Sequence, residues 1–241
     1  MIHQRFYRNQ IRETSLIHFQ VVVAETDLSI HASKDLSDFA YKRVSSYRNE
    51  LEKYINAYPA FATTLAPWTQ SSAEPKIVQQ MIHAGNQAGI GPMSAVAGVI
   101  AEMVGDDLRK FSDEIIVENG GDLYIYKKEP FNVGIYAGAS SPFSNQIGIR
   151  VDCSGTPLSI CTSSSVIGHS LSFGEADAVT IIARSGALAD AVATATGNRV
   201  KSSTDIDDAI NFAKKISGVD GVLILIDKYI GAWGSIEMVA I

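Results

Sequence analysis

Apolar and polar positions follow two different rhythms along this chain, and each change of rhythm marks a new element. Residues 15–32, SLIHFQVVVAETDLSIHA, carry β-branched runs on both sides of Glu25-Thr26-Asp27 and predict a β-hairpin. His18 and His31 fall in its arms as ordinary strand residues. From Asp35 to Tyr58 the spacing turns helical: Leu36, Phe39, Ala40, Val44, Tyr47, Leu51, Tyr54 and Ile55 recur at three- and four-residue steps and form one apolar stripe. Pro59 ends it, because proline cannot continue the helical hydrogen bonding. AFATTLAPWTQSSAEP then reads as an irregular connection, followed by a second helix from near Pro75 to about Gln87. In AGIGPMSAVAGVIAEMVGDDLRKF, Pro92 suits the first turn of a third helix, where its missing N–H is not needed. Met93, Val96, Ala97, Ile100 and Val104 are its expected buried face, while Ala95, Gly98 and Ala101 would let another backbone or a ligand come close.

The second half is richer in strand. Glu114–Glu118 and Leu123–Lys127 flank the turn Asn119-Gly120-Gly121-Asp122 and predict a second hairpin. Further strands are expected at Phe131–Tyr136, Ile147–Asp152, Pro157–Cys161 and Asp177–Arg184, the last followed by a helix over ALADAVATATGN, residues 187–198. A helix at Asp205–Ile216 and strands at Val222–Asp227 and Ile236–Ile241 close the chain. Hairpins mixed with helices favour an α+β fold over a doubly wound parallel sheet. With no repeat and no flexible linker, residues 1–241 read as one domain, or two intimately packed halves meeting near residue 112.

Composition narrows the classes. At 241 residues, with 46% hydrophobic and 19% charged residues, the chain is an ordinary globular one that needs no metal or disulfide to fold. A net charge of −6 without a long Lys/Arg run argues against duplex nucleic acid or an anionic membrane as partner. Arg5, Arg8 and Arg12 read as a solvated or subunit-facing strand. Cys153 and Cys161 form no CxxC and argue against a cysteine zinc site. The first residues contain no apolar signal region, and no apolar run approaches the ~18 residues that span a bilayer. A cytoplasmic protein is expected, and the edges of antiparallel sheet leave room for a homo-oligomer.

Three stretches carry candidate chemistry. Gly89-Ile90-Gly91-Pro92-Met93-Ser94 lacks the third glycine and the preceding strand of a dinucleotide fingerprint; it reads as a tight turn, or as a helix start whose outward N–H groups bind an anion. Ser163, Ser164, Ser165 and His169 suggest a hydrolase, yet Gly168-His169-Ser170-Leu171-Ser172 fails the last position of a nucleophile elbow. His169 is the best acid/base candidate among the histidines, with a structural imidazole as the rival reading. Asp190 and Thr194, four positions apart on one helix, present a carboxylate and a hydroxyl on one face and could share a hard cation such as Mg²⁺. The rival reading has Asp190 offsetting the positive helix N-terminus and Thr194 bonding back to a carbonyl.

These residues also resemble a family. ALADAVATA looks like the ADA-x-AT segment of the ApbE-like superfamily, the FAD:protein FMN transferases. In the same order, Ser94–Gly105 matches that family's small-residue helix and Glu118–Asp122 its GGD/N hairpin. Phe131–Ile135 resembles its W-x-V-G-I strand, and Ile160–Ser164 its A-T-S-G segment. GPMSAVAGVIAE and CTSSSVIGHSLSFGEADAV look closer still to a compact, cytoplasmic, uncharacterised prokaryotic branch. The resemblance covers about residues 90–200 and implies a T-fold-like architecture of antiparallel sheet backed by helices. In the transferases the ADA-x-AT aspartate and threonine hold Mg²⁺ against the FAD pyrophosphate, and FMN passes to a threonine or serine of a partner protein. Carried over, Asp190 and Thr194 are the implied metal ligands; Thr162, Ser163 and Ser164 line the nucleotide site, with Gly120, Gly121 and Asp122 near it.

One departure bears on activity. The family's H-I-I-D-P-x-T-G box, which supplies a catalytic histidine, has no equivalent here; His169 is the candidate replacement. Three functions therefore stand side by side: a Mg²⁺-dependent transferase or hydrolase acting on a flavin or related dinucleotide, a binding protein for a nucleotide or small anionic metabolite, and an assembly protein whose GPMSAVAG helix packs into a partner.

Overall fold

The computed structural model describes residues 16–69, 73–164 and 173–241; Arg5, Arg8, Arg12, Ser165 and His169 lie outside them. The first hairpin is β1 (Ile17–Val23) and β2 (Thr26–Ala32), with His18 directly opposite His31. Next come α1 (Ser37–Ala57), a 3-10 turn at Pro59–Ala62 and α2 (Lys76–Ala88). α1 turns Ala40, Val44, Tyr47 and Leu51 inward, the stripe its spacing predicted. α2 stops where Gly89 enters the left-handed region at φ 73°. A 3-10 turn at Pro92–Ala95 leads into α3 (Val96–Leu108).

Eight strands share one antiparallel sheet. After β3 (Ile115–Asn119) and β4 (Asp122–Tyr126) come β5 (Phe131–Gly134), β6 (Ile147–Val151), β7 (Leu158–Ser163) and β8 (Ala178–Ala183). Then follow α4 (Gly186–Gly197), α5 (Ile206–Ala213), β9 (Val219–Ile226), β10 (Tyr229–Gly234) and β11 (Glu237–Ala240). The large sheet runs β1-β2-β3-β4-β7-β8-β9-β10, and a three-stranded sheet β11-β6-β5 stands apart from it. Strand alternation sends Leu28, Ile30, Val117, Tyr124, Val179, Ile181 and Ile224 into the core shared with the helices. Ile116, Ile125, Ile160, Ile182, Leu223 and Leu225 point the other way, into a second core with Val133, Ile149 and Val151 of the small sheet. The inner strands of the eight-stranded sheet are thus buried on both faces and read as near-continuous apolar runs.

Two details differ from the sequence reading. β10 was not expected: Gly231 and Gly234 break its apolar pattern, and only pairing with β9 makes it a strand. On α3 the buried side is Ala95, Gly98, Val99, Ile100, Ala101, Met103, Val104 and Leu108, while Met93, Val96 and Ala97 stay half-buried. The face is rotated because the small residues, rather than the large ones, set how closely α3 meets its neighbours. Among the described residues no single helix is long and apolar enough to cross a membrane.

Candidate functional site

The site forms where α3, α4 and the β3–β4 turn converge. Its framework is a close crossing of two helix starts. A Cβ on Gly98 would lie 2.2 Å from the Gly186 carbonyl oxygen, and one on Gly186 would lie 2.6 Å from that of Gly98, so only glycine fits at either position. Each helix then carries the acid that caps the other. Glu102 of α3 accepts from Gly186 N at 2.7 Å, Ala187 N at 3.2 Å and Ser185 Oγ at 3.2 Å at the start of α4. Asp190 of α4 accepts from Gly98 N at 2.9 Å in the first turn of α3. Both contacts place a carboxylate against the positive end of a helix dipole. Burial nevertheless lifts the Glu102 carboxyl above its usual range.

This arrangement gives Asp190 a structural role. Asp190 does cap a helix, but the partner's start rather than that of its own helix, whose first turn is served by Ser185 and Glu102. At the start of α3 the N–H groups of Gly98 and Ala97 point to Asp190. Gly91, in the turn before, packs on the backbone of Thr64, where a Cβ would meet its carbonyl oxygen at 1.9 Å. The GIGP stretch is a turn in close contact, as one of its two readings held.

A second carboxyl completes the site. Asp122 opens β4 on the helix face of the sheet, within hydrogen-bonding reach of Asp190, and its Oδ1 accepts from Thr162 N at 3.2 Å. Burial, followed by the charge of Asp190, pushes the Asp122 carboxyl well above the ordinary range. Asp190 keeps some solvent contact, yet lost hydration pushes its carboxyl up to about 7 despite the N–H groups of Gly98 and Ala97. Two carboxyls in contact and cut off from most water favour sharing a proton over carrying two charges. The Cys161 thiol beside them is also pushed up by burial and by Asp122, which keeps it neutral.

The β3–β4 turn holds Asp122 in place. Gly120 and Gly121 have φ of 68° and 105°, a region that disfavours any side chain. Gly121 N donates to Glu118 Oε1 at 2.9 Å, and Asn119 Nδ2 donates to Ala97 O at 3.0 Å, tying the turn to the start of α3. The remaining predicted residues divide between the two faces of the sheet. Ser163 lies beside the end of α4, its Oγ 3.6 Å from where a Cβ on Gly197 would sit. Thr162 lends its backbone N–H to Asp122 but turns its hydroxyl to the opposite face, 2.8 Å from Thr180 Oγ1. Ser164 Oγ donates to Asp177 O at 2.6 Å. Thr194 is buried one turn beyond Asp190 on α4.

Glu102 and Gly186 did not emerge from sequence reasoning, and Asn119 did so only as part of its turn; the one available signal for the crossing was the run of small residues in α3. Among the described residues no three His, Cys, Asp or Glu side chains are placed to hold a metal. The acidic groups that the fold brings together here are the carboxyls of Asp122 and Asp190.

Comparison with known proteins places the chain in a family. A family profile described as AbpE bacteria matches residues 8–222. The chain belongs to this family. A UPF0280 protein from Methanococcus vannielii is 37% identical over 223 residues, covering 90% of each chain, and one from Methanocaldococcus jannaschii is equally similar. Among solved structures, flavin transferase ApbE from Vibrio cholerae superposes with a TM-score of 0.61 at 11% identity, covering 92% of this chain and 98% of that one. The apo form of Pseudomonas stutzeri flavinyl transferase ApbE gives 0.62 at 13% identity, covering 91% and 94%. At these identities the likeness shows the fold: the AbpE bacteria chain has the α+β architecture of the ApbE transferases, as its motifs implied.

Proposed function

We propose that this protein binds a flavin dinucleotide such as FAD together with Mg²⁺ at the Asp122–Asp190 site, and acts there as a nucleotidyl-group transferase or hydrolase. The observation that carries the reading is the pair of carboxyls brought within hydrogen-bonding reach of each other from β4 and α4, a grouping of acidic oxygens that a hard dication would neutralise. All the donors are hard oxygens, the set Mg²⁺ takes, and they leave positions for waters and substrate phosphates. Asp190 and Thr194 would hold the ion, with Asp122 facing them. Bound there, Mg²⁺ would supply charge neutralisation at the pyrophosphate and the departing phosphate.

The chain's own residues do the rest. Gly98 N–H fixes the Asp190 carboxylate, and Thr162 N–H fixes that of Asp122. The Gly120-Gly121 turn brings backbone, without side chains, to the rim of the site. Ser163 offers a hydroxyl at the end of α4, and His169 is assigned proton transfer. A protein threonine or serine would accept FMN, with water as acceptor in the hydrolase version.

The test is FAD turnover with and without Mg²⁺, read as AMP release and as flavin attached to protein, alongside thermal shift. FAD with Mg²⁺ should stabilise the wild type. Asp190→Asn, which can still accept from Gly98 N–H but lacks the charge, should abolish the Mg²⁺-dependent part. Unchanged Mg²⁺ affinity in Asp190→Asn would remove the metal assignment. The missing H-I-I-D-P box favours a second reading, binding without chemistry; flavin retained on the protein with no AMP released would select it.

A further inference from the structure

Strand β10 forms one edge of the eight-stranded sheet among the described residues, and the strand itself carries neither the charge nor the proline that normally guards such an edge. Its sequence, Tyr229-Ile230-Gly231-Ala232-Trp233-Gly234, contains no charge and no proline, and Tyr229, Ile230 and Trp233 are 46%, 40% and 38% exposed. These residues lie beyond residue 222, where the family match ends.

The pairing with β9 fixes which backbone groups are free. Ser235 N donates to Asp220 O, and the register continues through Trp233↔Val222, Gly231↔Ile224 and Tyr229↔Ile226. Alternation therefore turns the N–H and C=O of Tyr229, Gly231 and Trp233 towards β9, and those of Ile230 and Ala232 away from the sheet. Side chains alternate as well. Tyr229, Gly231 and Trp233 lie on the face of α5, where Gly231 abuts Ile206; Ile230 and Ala232 lie on the face of the small sheet, opposite Leu225 and Leu223.

We propose that β10 pairs antiparallel with β10 of a second copy about a two-fold axis through Gly231, joining the two large sheets into one. The second copy is the occupant because the strand is complementary to itself in this register. Ile230 then lies opposite Ala232 of the other copy as a hydrogen-bonded pair, so each free N–H and C=O finds a partner. Tyr229 lies opposite Trp233 of the other copy as a non-hydrogen-bonded pair, the type in which side chains approach most closely. The result is a large aromatic pair on one face and a large-to-small pair on the other, each occurring twice, as an isologous interface requires. Without a charge in the strand, self-pairing sets no like charges opposite each other.

Sedimentation equilibrium of the full chain tests this. The wild type should weigh as two chains. Ile230→Lys and Ala232→Lys, both at the free edge, should each raise the dimer dissociation constant about tenfold or more, with helix and strand content retained by circular dichroism. Register is read independently. Tyr229→Cys with Trp233→Cys in one chain should form an interchain disulfide on mild oxidation, while either substitution alone should not. A wild type that stays monomeric overturns the proposal. So does a dimer that survives both lysine variants, or one in which the double-cysteine chain does not cross-link.

Discussion

Adding one methyl group at the helix crossing gives a demanding test of how the site is held. In Gly98→Ala the new Cβ would sit 2.2 Å from Gly186 O and 2.7 Å from Asp190 Cβ, where ordinary contact begins at 3.4 Å. Both obstacles lie on α4, one of them backbone, so no flexible side chain can swing away. α3 and α4 must part by about 1 Å, a strain that costs about 1–3 kcal/mol in a packed core. That displacement stretches the Asp190 bond to Gly98 N and the Glu102 bond to Gly186 N, now 2.9 and 2.7 Å. Weakening these charge-assisted bonds brings the expected loss to about 3 kcal/mol, a fall in Tm of about 6–12 °C for a chain of this size. Gly197→Ala is the control: it sits at the far end of α4, its Cβ would meet nothing closer than 3.6 Å, and its effect should stay within about 1 kcal/mol. Differential scanning calorimetry of both variants beside the wild type reads the difference. If Gly98→Ala melted within about 1 °C of wild type, the close crossing would not be setting the position of Asp190.

The carboxyl pair gives a pH signature. Asp190 keeps its proton to about pH 7 in the folded chain and loses it near 4 when unfolded, so its contribution weakens as pH rises from 4 to 7 and is constant above. His31, held down at about 4 by burial and by His18, works in the opposite direction over the same range. The clean observable is therefore the Tm of wild type minus that of Asp190→Asn, which should fall between pH 5 and 7.5 without divalent ions; a flat difference would contradict the buried pair. Mg²⁺ should recover more Tm at pH 8 than at pH 5.5, because proton and cation compete for the same oxygens. Glu102→Ala should cost about 2 kcal/mol by uncapping α4, measured by urea denaturation, while Glu102→Gln should cost less because it keeps one acceptor. Tyr124→Phe should cost about 1 kcal/mol through loss of the 2.7 Å bond from Tyr124 Oη to Asp106, with the ring still packed on Gly105.

Local signals in the chain were enough to mark nearly every element. The stripe from Leu36 to Ile55, the proline at 59 and the Asn119–Asp122 turn each act over a few residues, and so they appear in the sequence as they do in the fold. The motif ALADAVATATGN likewise carried Asp190 and Thr194 onto one face of one helix, because helical spacing is a local property. The sequence also flagged Gly98 as a place of close approach, though not what approaches.

What approaches was decided by tertiary structure alone. Gly98 meets Gly186 across 88 positions of chain, and Asp122 meets Asp190 across 68, separations over which no periodicity carries information. The exchange of caps between α3 and α4 depends on their crossing, so Glu102 looked like any helical acid until the helices were packed. Strand alternation split Thr162 from Ser163, because β7 is buried on both faces and its apolar pattern does not say which face is which. β10 became a strand only through β9. Local chemistry thus fixed the elements and the candidate ligands, while their meeting, and the charge it concentrates, came from long-range packing.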